Sequence, residues 1–375
     1  MSSNDLERTE ANLSPVKSLE GINCCKTEKL SSDGKQTPAN EPFCFLNIYK
    51  PKGITSFDVI YKLRKRLGIK KIGHSGTLDP LADGVMQVAV GRATRLLDYL
   101  SSDKTYRARL KFGCFSTTGD AEGEIIPANP PKFSETELKN ALNSMTGEIE
   151  QVPPIYSAIK VGGKKLCDIA RKNAKKAKLH ACAANSENNS ESAAKTEDIQ
   201  IPKRIVTIYE AKLLSFCKNE ESLENFTNID KNLQNTPPVL DTFECEIEIS
   251  CSKGTYIRTF AQDLAKKLNT GAYLTALTRT KAGNFTLENS VKIEDVNLEC
   301  DAISPHSALQ NEIYILANEE YKLVLNGVSF VPRAAKLPEN VPLSLIFENN
   351  LVSIGVLSDN KIVCKKVFKQ LKTEQ

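Results

Sequence analysis

The stretch richest in usable chemistry runs Gly73-His74-Ser75-Gly76-Thr77-Leu78-Asp79-Pro80-Leu81-Ala82-Asp83-Gly84-Val85-Met86. Three glycines, a proline and small polar residues impose a tight backbone path, and in its middle one carboxylate, Asp79, stands between the apolar Leu78 and Leu81. An acid so placed is presented for use, paired with a cation, or engaged in capping its own turn. Farther along, Gly254-Thr255-Tyr256-Ile257-Arg258 sets a tyrosine and an arginine two positions apart, so an extended backbone carries both on one face. The eleven cysteines are scattered without a C-x-x-C, and there are only three histidines. Reduced thiols, several serving as small core hydrophobes, and no structural metal are therefore expected.

Elements around these residues must hold them. Residues 1–41 are poor in aromatic and β-branched side chains and read as a disordered tail. Phe43 to Tyr49 reads as a buried strand, followed by the turn Lys50-Pro51-Lys52-Gly53. Ser56 is the expected N-cap of a helix whose apolar face is Val59, Ile60, Leu63 and Leu67, with Lys62, Arg64, Lys65 and Arg66 opposite and Gly68 closing it. Met86 to Val90 and Thr105 to Phe112 read as strands, and Glu135 to Met145 as a helix opened by Ser134. Phe243, Cys245, Ile247, Ile249 and Cys251 alternate with polar residues, the period of a half-buried strand. Residues 173–200 and 218–241 are low in large apolar residues and read as inserted surface loops. Toward the end, a helix over Glu319 to Leu325 precedes three β-runs, Leu343 to Phe347, Leu351 to Val356 and Ile362 to Phe368, which suggest a small barrel.

The length of 375 residues favours two or three domains. With 40% hydrophobic and 26% charged residues the chain can fill a core, yet no apolar run reaches bilayer length, so a soluble protein is expected. Met1 to Glu10 shows neither a secretory nor a transit pattern, which makes the cytoplasm the default. The net charge of +4 conceals a sum of +8 between residues 42 and 172, a pointer to a polyanionic partner.

Several blocks together resemble the tRNA pseudouridine synthases of the TruB type. Lys50-Pro51-Lys52-Gly53-Ile54-Thr55-Ser56 is similar to the family's opening K-P-x-G-x-T-S, and Gly73 to Gly84 to its G-H-x-G-x-L-D-P-x-A-x-G segment. Lys104-Thr105-Tyr106, Thr117 to Gly123, Gln151 to Lys160, Gly254 to Arg258 and Gly271 to Thr280 follow in the family's order, and the two inserts fall between blocks.

The resemblance implies an α+β pseudouridine synthase fold, with a central mixed, mainly antiparallel sheet flanked by helices, over residues 42–300. A small C-terminal β-barrel, a PUA-like RNA-binding domain, would occupy 310–370. It implies isomerisation of uridine 55 in the tRNA T-loop, a reaction with no redox change and hence no cofactor. Asp79 would be the catalytic carboxylate, Arg258 its cationic partner, Tyr256 a proton-transfer group and Tyr106 the ring stacked on the flipped base. Leu277 would line the uracil pocket, and His74 would fill the place of the extruded bases. Lys50, Lys52, Lys62, Arg64, Lys65, Lys160, Lys164 and Lys165 would supply phosphate contacts, Lys50 and Lys160 foremost. The expected partner is tRNA, through its T-arm and acceptor end, with a monomeric enzyme, no membrane and no obligate protein partner. The rival reading is a tRNA-folding chaperone without catalysis.

Overall fold

The computed structural model describes residues 41–154, 160–161, 164–165, 201–222, 239–333 and 336–368. Strand β1 (Phe43–Lys50) is buried along almost its whole length, as its apolar run requires, and turns at Pro51 to Gly53 into helix α1 (Ser56–Leu67). Thr55, not the expected Ser56, is the N-cap of α1. Its hydroxyl accepts from the Asp58 N–H, and the Asp58 carboxylate accepts in return from the Thr55 N–H, a capping box that leaves Ser56 free to turn inward. Strands β2 (Ile72–Ser75) and β3 (Asp83–Gly91) bracket the Asp79 loop. A 3-10 turn, Arg92–Tyr99, leads to β4 (Lys104–Phe112).

A small hairpin of β5 (Cys114–Ser116) and β6 (Ile125–Pro127) precedes α2 (Glu135–Asn143), which Ser134 opens with Glu137 in the reciprocal capping arrangement. Then come β7 (Gly147–Gln151), the short pair β8 (Lys160–Val161) and β9 (Lys164–Lys165), and the long strands β10 (Arg204–Ser222) and β11 (Val239–Cys251). Helix α3 (Ile257–Lys267), β12 (Ala272–Ala282), β13 (Phe285–Thr286) and β14 (Val291–Lys292) complete this part. The tail up to residue 40, the insert 173–200 and the side chains of Lys160, Lys164 and Lys165 lie outside the described residues. The second expected loop is narrower than 218–241, because the β10/β11 ladder continues to the pair Ser222 and Val239.

The strands join in one mixed sheet in the order β14-β1-β3-β12-β4-β11-β10-β7, with β2 added to β3 and β13 to β12. Within this sheet, among the described residues, only β1/β14 and β3/β12 pair parallel. One edge of β3 is shared: Gln87 to Val90 pair with β2, whereas Asp83 and Gly84 pair with Thr278 and Arg279 of β12. The sheet forks there, and the loop between β2 and β3 carries Asp79 across the fork. Two side chains satisfy the backbone where the ladders part. Arg279 Nε donates to the Val85 carbonyl at 2.7 Å, and Gln87 Nε2 to the Ala282 carbonyl at 2.9 Å.

At Gly84 the close approach is extreme. Its φ is +105°, and an added Cβ would lie 2.3 Å from the Arg279 carbonyl oxygen and 2.8 Å from its nitrogen. Both atoms belong to the backbone and cannot swing aside. Gly84→Ala is therefore expected to lower stability by more than about 2 kcal/mol, read as a reduced urea midpoint.

The period of two in β11 is realised: Cys245, Ile247, Ile249 and Cys251 are buried against α2 and α3, in a cluster with Leu138, Phe260 and Leu264. A second cluster joins this part to the C-terminal segment, bringing Phe45, Val85 and Leu96 against Ile346, Ile354 and Phe368. The Arg95 guanidinium lies 4.8 Å over the Phe368 ring. Short helices α4 (Leu298–Asp301) and α5 (Pro305–Leu309) lead to β15 (Glu312–Ile315), α6 (Asn318–Leu325), β16 (Pro342–Phe347), β17 (Asn350–Ser358) and β18 (Lys361–Val367). The last three match the predicted β-runs. Glu348-Asn349 and Asp359-Asn360 all have positive φ, as the two-residue hairpin turns that join them require. The order β15-β16-β17-β18 is an open sheet, with no pairing of β15 to β18 among the described residues, where the sequence suggested a barrel. None of the described helices is long and apolar enough to cross a membrane.

Candidate active site

Asp79 enters its loop between two anchors. The Ser56 hydroxyl, on the first turn of α1, accepts from the Leu78 N–H at 2.9 Å and donates to the Leu78 carbonyl at 3.1 Å. On the other side the Gly53 N–H donates to the Pro80 carbonyl and the Ala82 N–H to that of Asp79. Leu78 and Leu81 are buried, so the loop is pinned at both ends while Asp79 keeps 39% of its side chain open. Ser56→Ala strands two buried backbone groups of Leu78. It is expected to cost about 1–3 kcal/mol in urea unfolding and to lower turnover while the transition stays cooperative.

Facing Asp79 is Arg258, with its side chain 7% exposed. Its Nη2 lies 2.9 Å from Asp79 Oδ2; its Nη1 lies 3.5 Å from Asp120 Oδ2 and donates to the Thr118 carbonyl at 3.1 Å. One guanidinium thus bridges two carboxylates, the planar fork that only arginine offers. Asp120 is itself nearly closed off, accepting from the Thr118 hydroxyl at 2.6 Å and the Glu122 N–H at 3.1 Å. Its loop can approach α3 because residue 119 is glycine: φ is +79°, and a Cβ would meet Arg258 Cβ at 3.3 Å. Burial pushes the Asp79 carboxyl above its ordinary pKa; Arg258 opposes this and Asp120 adds to it.

The expected shared strand face of Tyr256 and Arg258 is not formed. Tyr256 is the N-cap of α3 and Arg258 lies in its first turn, because the strand ends at Cys251 and Gly254 turns the chain at φ +82°. The Tyr256 backbone is clamped instead: its N–H donates to Gln151 Oε1 at 3.0 Å and its carbonyl accepts from Gln151 Nε2 at 3.3 Å.

Tyr106 on β4 and Arg279 on β12 are opposite each other in register, with Leu277 two residues along β12 on the same face. Tyr106 and Leu277 pack in one cluster with Leu78 and Leu81, which sets the ring and the leucine beneath the Asp79 loop. Arg279 is fully buried. Its guanidinium braces Val85 and, at 3.3 Å, the Gly76 carbonyl, and it faces the Tyr106 hydroxyl, whose pKa burial raises. His74, half-buried on β2, has its pKa lowered, first by burial and then by the Arg279 guanidinium.

Lys50 is not at the surface. It is fully buried with Nζ donating to the carbonyls of Ala82 at 2.6 Å and Pro51 at 3.0 Å, and burial lowers its pKa to about 8. The expected phosphate contact is thus a brace of the Asp79 loop, because the turn after β1 folds back over its own lysine. Arg64 is likewise drawn inward, donating to the Ile72 carbonyl at 2.9 Å.

Asp79 thus pairs with Arg258 over a cluster that includes Tyr106 and Leu277, with His74 on the adjoining strand and Tyr256 at the head of the helix carrying Arg258. Sequence reasoning passed over Ser56 as a contact, Asp120, Gln151 and Arg279. Asp120 was visible as an acid set between Gly119 and Gly123, with Glu122 and Glu124 beside it, whereas nothing in the chain pairs Gln151 with Tyr256. No cluster of three or more metal-ligating side chains occurs among the described residues.

The sequence model of the family described as "TruB family pseudouridylate synthase (N terminal domain)" matches residues 64–182. The chain is 39% identical over 259 residues to the tRNA pseudouridine synthase B of Trichormus variabilis, covering 69% of this chain and 73% of that protein. It is 34% identical over 318 residues to the protein of the same name from Clostridium tetani, covering 83% and 94%. Among solved structures, a chain of a Cbf5-Nop10-Gar1 complex superposes with a TM-score of 0.58 at 19% identity, covering 93% of this chain and 92% of that one. A chain of an H/ACA RNP bound to a substrate RNA containing 2'-deoxyuridine gives 0.56 at 18%, covering 90% and 92%. These two likenesses concern the fold.

Proposed function

Since the chain belongs to the TruB family of pseudouridylate synthases, we propose that it is a tRNA pseudouridine synthase, an isomerase that converts uridine 55 of the T-loop to pseudouridine. The observation that carries this reading is the Asp79–Arg258 pair at 2.9 Å, open to solvent on the aspartate side alone. Breaking the N1–C1' bond, turning the base and joining C5 to C1' needs one ionised carboxylate, and Arg258 favours the ionised form against burial. Asp79 bonds transiently to the flipped nucleoside as the N1–C1' bond breaks, and that bond is broken again, regenerating the carboxylate, once C5 has joined C1'. The proton leaving C5 is passed on by Tyr256 and N1 gains one, so atoms balance without a cofactor. Tyr106 stacks on the extruded base, Leu277 closes the uracil pocket, and His74 fills the vacated stack.

The C-terminal sheet is read as a PUA-like module that holds the acceptor end. Beside that sheet lies an open cavity of about 460 Å³ lined by Leu323, Phe330, Val331 and Lys361 together with Glu319, Glu320 and Arg333, the last paired with Glu320 at 3.0 Å. The enzyme is read as a monomer working in the cytoplasm, its charge concentrated between residues 42 and 172.

Incubation with a T-arm RNA tritiated at uridine C5 tests the activity. Release of tritium to water without any added cofactor is expected, at rates that fall as salt rises, because phosphate contacts release counterions. RNA that binds and keeps its label would establish the chaperone reading in its place.

A further inference from the structure

Helix α1 presents more than a solvated basic face. Phe57 and Tyr61, one turn apart, are 66% and 62% exposed, and they stand on the side opposite the buried Val59, Ile60 and Leu63. Lys62 and Lys65, exposed on the same helix, form no ion pair among the described residues. The one acid of the helix, Asp58, is bound to the Thr55 hydroxyl at 2.6 Å in the cap. Two aromatic rings left in water one turn apart on an otherwise charged face are not explained by core packing. These rings start next to the anchor of the Asp79 loop, for Phe57 directly follows Ser56, whose hydroxyl holds Leu78.

We infer that this face is an RNA-contact surface, on which Phe57 and Tyr61 stack an unpaired base of the substrate while Lys62 and Lys65 take the adjoining phosphates. The occupant follows from the chemistry. Rings flanked by unpaired cations match a stacked base with its phosphodiester, whereas a protein partner of matching apolar shape would not call for uncompensated lysines. The inference rests on the tRNA reading above and extends it: the RNA is gripped beyond the target nucleotide, along a helix about 18 Å long.

The test compares Phe57→Leu/Tyr61→Leu, Phe57→Ala/Tyr61→Ala and Lys62→Gln/Lys65→Gln with the parent protein. Tritium release gives kcat and KM on full-length tRNA, and fluorescence anisotropy gives RNA affinity across a salt series. Both aromatic variants are expected to raise KM and Kd roughly ten-fold, with the loss in KM and not in kcat. The lysine variant is expected to reduce the slope of log affinity against log salt by about two. Parent-like affinity in the leucine variant would overturn stacking, and an unchanged salt slope would overturn the phosphate contacts. Unchanged RNA affinity with loss of a self-associated species in sedimentation would identify a protein-docking face and reject the inference. If the parent protein itself released no tritium, the activity reading would fail, and the anisotropy curves would still judge the α1 surface.

Discussion

Asp79→Asn is expected to lower tritium release by roughly 10⁴-fold or more, in a protein that folds and binds RNA like the parent. The amide keeps the shape of the carboxylate and loses the charge that covalent attack requires. Folding survives because Arg258 is not left alone: Asp120 remains 3.5 Å from Nη1 and the Thr118 carbonyl 3.1 Å. The exchange leaves one guanidinium with one nearly buried carboxylate. It also removes an acid whose ionised form burial disfavours, so the urea midpoint is expected to hold or rise. Turnover lost together with the midpoint would mean that Asp79 is structural. Turnover retained would remove it from the chemistry.

The second large effect falls on its partner. Arg258→Leu deletes the cation between Asp79 and Asp120 and is expected to cost about 3–5 kcal/mol in urea unfolding, since Asp120 is left inside without its counter-charge. Turnover should fall as well, and the residual activity carries a pH signature. Arg258 holds the Asp79 pKa down against burial, so its loss raises that pKa further. Activity that depends on the ionised form is lost as pH falls through the pKa, and the acid limb of the rate profile must therefore move to higher pH. Arg258→Lys restores a charge without the fork that spans two carboxylates. It is expected to recover part of the midpoint and little of the turnover. An acid limb that stayed in place in both variants would separate Arg258 from the ionisation of Asp79.

The carboxylate loop, the first strand and the basic helix were readable because each rests on local signals: glycines and a proline, an apolar run, a 3.6-residue period. Errors arose where two neighbouring residues could fill one role, or where the deciding partner is remote. Thr55 and Ser56 are equally good caps in a sequence, and only the fold shows that one closes the helix while the other reaches Leu78 across 22 positions. Lys50 reads as a surface cation until Ala82, 32 residues away, captures its ammonium. Tyr256 and Arg258 were given strand geometry because the alternation ending at Cys251 has no local mark of where it stops, and the helix that begins at Ile257 changes the angle between them. Gln151, clamping Tyr256 over 105 positions, leaves no trace in composition or spacing.

The fork in the sheet has a consequence for how the molecule is made. Val85 and Arg279, which meet there, are separated by 194 positions, so a chain growing from its N-terminus carries the Asp79 loop long before the residues that brace it exist. Until β12 arrives, the lower half of β3 is an unpaired strand edge, with bare N–H and C=O groups of the kind that invite pairing with another chain. Closing so long a loop costs entropy before any contact repays it, which places the pairing of Asp79 with Arg258 and the bracing of its loop by Arg279 among the late events of folding. An N-terminal fragment ending before α3 would hold Asp79 without Arg258. Such a chain would be born with an exposed β edge and no chemistry.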